Sequence, residues 1–220
     1  MKAMILAAGK GERMQPLTLT TPKPLLPAGG KPLIVHHIER LTGMGVTEIV
    51  INTAHLGPRI HAALGDGRAL GIRIRYSHEG VSGLETAGGM RRALPLLGKE
   101  PFLLVNADVW TDFQFDHLPR AIHGLAHLVM VDNPGHNLRG DFSLENGRIE
   151  NTGKRMLTYS GIAMIHPELL KGLPSGPAKL APLLREASER GLVSGEHHAG
   201  AWDDIGTPER LERLDRLLSN

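Results

Sequence analysis

The sequence predicts an α/β protein, one domain over residues 1–220 built on a doubly wound, mostly parallel but mixed sheet. Three observations predict it. Apolar runs of strand length alternate with segments of helical period through the first half of the chain. A glycine-containing loop follows the first apolar run directly, at the topological position where such sheets bind phosphates. The 220 residues, 41% hydrophobic and 22% charged, carry no internal repeat, low-complexity tract or linker, which suits a single large core.

The elements follow in order. Met1–Ala8 reads as a buried strand, and Pro32–Met44 as a helix with Leu33, His37, Leu41 and Met44 near one face. Val46–Thr53 is β-branched and strand-like. Pro58–Leu64 is a short helix closed by Gly65-Asp66-Gly67, Ile72–Tyr76 a strand, Thr86–Leu97 a helix and Phe102–Asn106 a buried strand. This β-α-β-α-β order implies parallel strands with helices on both faces. Past Asp108 the pattern loosens. His127–Val131 is a strand, Phe142–Ile149 a hairpin turning at Glu145-Asn146-Gly147, and Thr158–Ile165 a strand. Lys179–Arg190 is amphipathic, with Leu180, Leu183, Leu184 and Ala187 inward; a strand near Val193–His197 follows, and Pro208 opens a last helix.

Several classes are excluded. Lys plus Arg less Asp plus Glu is 25 − 23 = +2 with the charges interspersed, and only 4% of residues are aromatic, so neither a phosphate-tracking stripe nor a base-stacking platform exists for nucleic acid. The absence of cysteine removes disulfides, thiol nucleophiles and Cys-ligated zinc. The apolar start breaks at Gly9-Lys10-Gly11, too early for a signal segment, and no stretch reaches membrane-span length. A cytoplasmic chain with no membrane partner is expected; the sequence sets no oligomeric state. The 12 histidines include the adjacent pairs His36-His37 and His197-His198, whose side chains point different ways, so they read as surface or packing residues.

Two named phosphate motifs fail at the first loop. A dinucleotide fingerprint would need glycine where Met14 stands and an acid where the second strand ends in Asn52-Thr53; a Walker loop would need Lys-Ser or Lys-Thr after glycine. What remains is Leu6-Ala7-Ala8-Gly9-Lys10-Gly11-Glu12-Arg13-Met14, running on to Pro22-Lys23-Pro24. Small residues let the backbone approach a ligand and offer its N–H groups to phosphate oxygens. Arg13 and Lys23 are placed to converge on a polyphosphate, and prolines 16, 22, 24 and 27 stiffen a loop expected to lack secondary structure.

Two carboxylates fall where a divalent cation would need them. Asp108 follows the buried strand Phe102–Asn106, and Asp204 precedes the last helix in Trp202-Asp203-Asp204-Ile205-Gly206-Thr207. Taken alone, each reads first as an Asx turn or a helix cap. Together they suit Mg²⁺, which takes one or two carboxylates and completes its shell with phosphates and water.

The first loop, with its Leu-Ala-Ala-Gly-Lys-Gly-Glu-Arg-Met and Pro-Lys-Pro-Leu tracts, resembles the signature of the sugar-1-phosphate nucleotidyltransferases, and the likeness extends through most of the chain. The resemblance implies a Rossmann-like nucleotidyltransferase fold acting on two small-molecule partners, a nucleoside triphosphate (UTP first) and a sugar 1-phosphate, with Mg²⁺ as cofactor. It implies Arg13 and Lys23 as catalytic cations and Leu6, Ala8, Gly9, Gly11, Glu12, Arg13, Lys23, Glu85 and Gly88 around the nucleotide. It implies Asn106, Arg139, Gly140, Asp141 and Glu150 around the sugar, and Asp108 and Asp204 as metal ligands. The Asp-hydrophobic-Gly-Thr register selects Asp204 over Asp203. Arg139 is the one permanently charged cation of the 133–141 loop, and is expected to meet a carboxylate on the sugar, with Asp141 orienting it. Rival expectations are a mannose- or glucose-1-phosphate enzyme using GTP or dTTP, and a non-catalytic nucleotide-sugar sensor, which would be expected to lose Arg13, Lys23 or an aspartate.

Overall fold

The structure, a computed structural model, describes residues 1–80 and 83–219. In chain order the elements are β1 (Lys2–Leu6), β2 (Pro27–Ala28), β3 (Lys31–Pro32), α1 (Leu33–Gly43), β4 (Glu48–Thr53), α2 (Gly57–Leu64), β5 (Arg73–His78), α3 (Glu85–Leu97) and β6 (Phe102–Asn106). They continue with β7 (Val109–Thr111), β8 (Ala126–Val131), β9 (Phe142–Glu145), β10 (Arg148–Glu150), β11 (Met156–Ile165), α4 (Leu180–Glu189), β12 (Val193–His198), β13 (Trp202–Asp204) and α5 (Pro208–Ser219).

One sheet of nine strands, in the order β5-β4-β1-β6-β11-β8-β12-β10-β9, runs through the molecule. Its first four strands are parallel, as the alternating pattern requires. β11 then enters antiparallel to both β6 and β8, and the pair β8–β12 is parallel again. The sheet is therefore mixed, because β11 runs against both of its neighbours. The hairpin β9–β10 turns on Asn146 and Gly147, both at positive φ (52° and 77°) as a two-residue hairpin of right-handed twist demands.

Alternation along the central strands splits the core. Ala3, Ile5, Ile49, Ile51 and Val105 face α1 and α2, whereas Met4, Val50 and Leu104 face α3 and α4. The α1 stripe is wider than its predicted face, because Ile34 and Ile38 are buried beside Leu33, His37 and Leu41. A third cluster joins Met14, Leu26, Ala28 and Leu33 to Ile205, Leu211 and Leu214, so α5 packs against the loop that follows β1. The expectation that prolines leave this loop without secondary structure is corrected by the structure. Three short 3₁₀ turns at Glu12–Met14, Leu17–Leu19 and Lys23–Leu25 lead into the β2–β3 ribbon. The prolines fix φ near the value a 3₁₀ turn needs, so they build turns rather than prevent them.

From β1 the chain steps outward through β4 and β5, then returns by α3 on the opposite face to β6 on the other side of β1. The strand order thus reverses between β1 and β6, and a crevice opens beyond their carboxyl ends.

Candidate active site

The crevice holds a cavity of about 580 Å³. Its walls are the loop after β1 (Leu6 to Met14), Lys23 and Pro24, the turn Gly83–Thr86, the end of β6 with Asn106 to Asp108, and Gly206. Of the residues expected around the nucleotide, Leu6, Ala8, Gly9, Gly11, Glu12, Arg13, Lys23 and Glu85 all line it. Gly11 sits at φ 65° with Thr18 Cγ2 only 2.9 Å from where a Cβ would stand and Lys23 Cβ at 3.3 Å, so only glycine lets the loop close onto Lys23. Thr18 locks that turn by donating its hydroxyl to the Gly11 carbonyl at 2.8 Å.

Lys23 is 8% exposed, and its Nζ donates to Asp108 Oδ2 at 2.7 Å. Burying the stem among packed loop residues while the ammonium reaches the cavity fixes a cation where two segments distant in sequence meet. Asp108 leaves β6 one residue past Ala107, whose N–H donates to the Leu6 carbonyl at 3.1 Å, and so ties this carboxylate to β1.

Asp204 arrives from the other end of the chain. The ribbon β7–β13 aligns it with Val109, and Ile205 N donates to the Asp108 carbonyl at 2.7 Å. The two aspartates are thus carried on neighbouring backbones. Asp204 Oδ1 is held by the Arg210 guanidinium and lies 3.1 Å from His136 Nε2; Arg210 in turn lies 2.8 Å from His136 Nδ1. Its Oδ2 points the other way, toward Gly206, where a Cβ would stand 3.3 Å from Oδ2 and 3.2 Å from Arg13 Nη2. Asp203 is paired with Arg213 and lies 4.0 Å from Arg210 Nε. Among the described residues no three His, Cys, Asp or Glu side chains form a metal cage. Two carboxylates on neighbouring backbones, beside a loop of small residues, are of the chemistry that suits a cation keeping water and further oxygens in its shell, so the residues fit Mg²⁺.

The residues expected around the sugar are less gathered. Asn106 lines the cavity, packed by a bulge in β11 where five residues, Tyr159 to Ala163, lie opposite three of β8, Leu128 to Met130. At the bulge Gly161 (φ 82°) leaves no room for a side chain, since its Cβ would stand 2.6 Å from Asn106 Nδ2. Asp141 lies outside the cavity, its carboxylate accepting from Tyr159 N at 2.8 Å and Asn137 Nδ2 at 3.3 Å. It braces β11 rather than orienting Arg139, which is exposed on the loop. Gly140 (φ 65°) packs on Leu157, and Glu150 lies on β10 paired with Ser143, away from the cavity walls. Gly88 is likewise internal: its N–H donates to the Ala178 carbonyl at 3.1 Å and its Cβ position is 2.3 Å from the Gly176 carbonyl oxygen.

Sequence reasoning overlooked Asn52 and Glu79, which line the cavity, and the His136–Arg210 clamp on Asp204. A polar residue ending the second parallel strand could have marked Asn52; nothing in the local pattern announces His136.

A loop of small residues, the cations Arg13 and Lys23 and the carboxylate of Asp108 line the crevice at the switch point of a doubly wound sheet, with Asp204 on the backbone beside Asp108 and not among the cavity walls. The chain belongs to the nucleotidyl transferase family, whose sequence model matches residues 2–132, and within it to the sugar-1-phosphate nucleotidyltransferases. It is 54% identical to the N-acetylmuramate alpha-1-phosphate uridylyltransferase of Neisseria meningitidis serogroup B, over 99% of this chain and 98% of that protein. It is 34% identical to the enzyme of the same name from Caulobacter vibrioides, over 94% and 92%. The mannose-1-phosphate guanyltransferase of Aspergillus fumigatus is 33% identical over 95% of this chain, which spans 62% of that protein. A Bacillus anthracis crystal structure described as a glucose-1-phosphate thymidylyltransferase superposes with a TM-score of 0.87 over the whole chain and 96% of its own, at 23% identity, and shares the fold. Among the described residues no helix is long and apolar enough to cross a membrane.

Proposed function

We propose that the protein joins N-acetylmuramate α-1-phosphate to the uridylyl group of UTP, giving the UDP-sugar and pyrophosphate, in the cytoplasmic recycling of cell-wall sugar. The observation that carries the reading is the Lys23–Asp108 pair set against the Gly9–Gly11 loop and Arg13 in one crevice. The uridylyl and muramate assignments are supported by the two relatives that bear that name.

In the proposed reaction a phosphate oxygen of the sugar phosphate bonds to the α-phosphorus in line with the departing pyrophosphate, and the α–β bridge breaks. The nucleophile is already an anion, so no protein base is needed. Catalysis then rests on alignment and on meeting negative charge. Lys23 holds the reacting phosphates, while Arg13 and the loop N–H groups receive the pyrophosphate. Asp108 and Asp204 would hold Mg²⁺, and what that ion supplies when bound is neutralisation of charge between the two phosphates. The sugar C1–O bond is untouched, so the anomeric configuration is retained. Arg139 is the proposed partner of the lactyl carboxylate that distinguishes this sugar from N-acetylglucosamine.

The test is pyrophosphate release over a grid of four nucleoside triphosphates against N-acetylmuramate, N-acetylglucosamine, mannose and glucose 1-phosphates. UTP with N-acetylmuramate 1-phosphate is expected to be the best pair. A preference for GTP with mannose 1-phosphate overturns the assignment, and release from no pair overturns the reaction.

A further inference from the structure

We propose that Asn52 and Glu79 are positioning residues that hold the turn Gly83–Thr86 in register with the phosphate loop, and so set which base fits. The inference rests on the nucleotide reading above. A single file of hydrogen bonds joins the two sides of the cavity. Ala7 N, two residues ahead of Gly9, donates to Asn52 Oδ1 at 2.7 Å. Asn52 Nδ2 donates to Glu79 Oε1 at 2.7 Å, and Leu84 N donates to Glu79 Oε2 at 2.7 Å. Asn52 is 3% exposed and Glu79 6%.

The chemistry of the file allows little substitution. Asn52 must turn its carbonyl to Ala7 N, which leaves its amide to face position 79. Position 79 then receives two donors on two different oxygens, Asn52 Nδ2 on Oε1 and Leu84 N on Oε2, which a carboxylate offers and an amide, with one oxygen and one NH₂, does not. Among the described residues no cation pairs with Glu79. A buried carboxylate sustained by neutral donors alone is costly, and its retention asks for a role. The chain also clears space for it. Gly89, on the first turns of α3, carries no side chain where a Cβ would stand 2.2 Å from Glu79 Oε1 and 3.1 Å from Asn52 Nδ2. The ends of β4 and β5 are thereby a rigid spacer between the phosphate loop and the turn Gly83–Thr86.

The polarity of the file gives a sharp test. Glu79→Gln puts an amide donor against a donor, and Asn52→Asp puts a carboxylate against Glu79. Made together, the new amide at 79 donates to the new carboxylate at 52, which still accepts from Ala7 N, while the other oxygen at 79 still accepts from Leu84 N. All three bonds and the net charge of the pair are restored with the charge moved.

Binding of each nucleoside triphosphate would be titrated by calorimetry without acceptor, alongside KM and kcat. Each single variant is expected to weaken UTP binding tenfold or more and to narrow the preference among bases, with the KM for sugar phosphate changed less than twofold. The double variant is expected to recover UTP affinity to within threefold of wild type, together with its base preference. A double variant as weak as the singles, or one that does not fold, overturns the proposal; the first outcome assigns Glu79 to direct contact with the nucleotide. Singles that bind as wild type overturn it too. Should the singles not fold, wild-type affinity and preference in the folded double support it, and weakened binding there overturns it. Wild-type protein that binds no nucleoside triphosphate defeats the functional reading itself.

Discussion

His37 makes the fold itself sensitive to acid. It lies on the inward stripe of α1, 2% exposed, with its ring near Phe115 at 6.4 Å between centroids. Burial pulls its pKa from 6.5 down to about 4, against a smaller opposing contribution from the Val109 backbone. Between those two values the unfolded chain binds a proton that the folded chain refuses, so stability falls as the pH drops. At about 1.4 kcal/mol per pH unit, this one group removes about 2 kcal/mol by pH 5 and about 3 kcal/mol by pH 4. Above pH 6.5 both states are neutral and the contribution is flat. The assay is urea unfolding of wild type and His37→Leu at pH 7 and pH 5, read as the change in unfolding free energy. Carboxylates weaken both proteins alike, so the difference of differences isolates His37. Wild type is expected to lose about 2 kcal/mol more than the variant over that interval. Equal losses would refute the reasoning, because they would mean that the ring is protonated or solvated in the folded state.

Asp108→Asn and Asp204→Asn are each expected to lower turnover about a hundredfold or more in a folded protein, and EDTA to abolish it, whereas Asp203→Asn, whose carboxylate faces Arg213, stays within about threefold. Activity in EDTA, or a near-normal Asp204→Asn enzyme, sinks the metal assignment. Lys23→Met should reduce kcat by about 10²–10³, the loss of about 2.7–4 kcal/mol of transition-state stabilisation. A change confined to the nucleotide KM would make Lys23 a ground-state anchor instead. Arg139→Ala should cost activity selectively on N-acetylmuramate 1-phosphate relative to N-acetylglucosamine 1-phosphate; equal losses, or none, count against that contact. Gly88→Ala should destabilise the fold by about 1–3 kcal/mol, since its Cβ would press the Gly176 carbonyl oxygen at 2.3 Å; an unchanged melting temperature contradicts this.

The sequence by itself determined most strands of the main sheet and its helices, and marked the first loop as a candidate phosphate site, but not the short ribbons β2–β3 and β7–β13. Apolar period marks which residues of a strand or helix turn inward, and it located β1, β4, β6, α1 and α4 to within about two residues at either end. That Gly9, Gly11, Arg13 and Lys23 would meet in one crevice was legible because small residues and cations lie close together along the chain there. Asp108 and Asp204 were singled out as candidates through family register, not through local pattern. Only the tertiary structure decided that these aspartates share adjacent backbones across β7–β13, that β11 enters antiparallel, and that the Asp141 carboxylate accepts from the β11 backbone. The same holds for Asn52, Glu79 and the His136–Arg210 clamp. The physical reason is range. Periodicity records what each residue does relative to its near neighbours, whereas strand partners and hydrogen bonds between side chains depend on which distant segments the closed fold brings within about 3 Å.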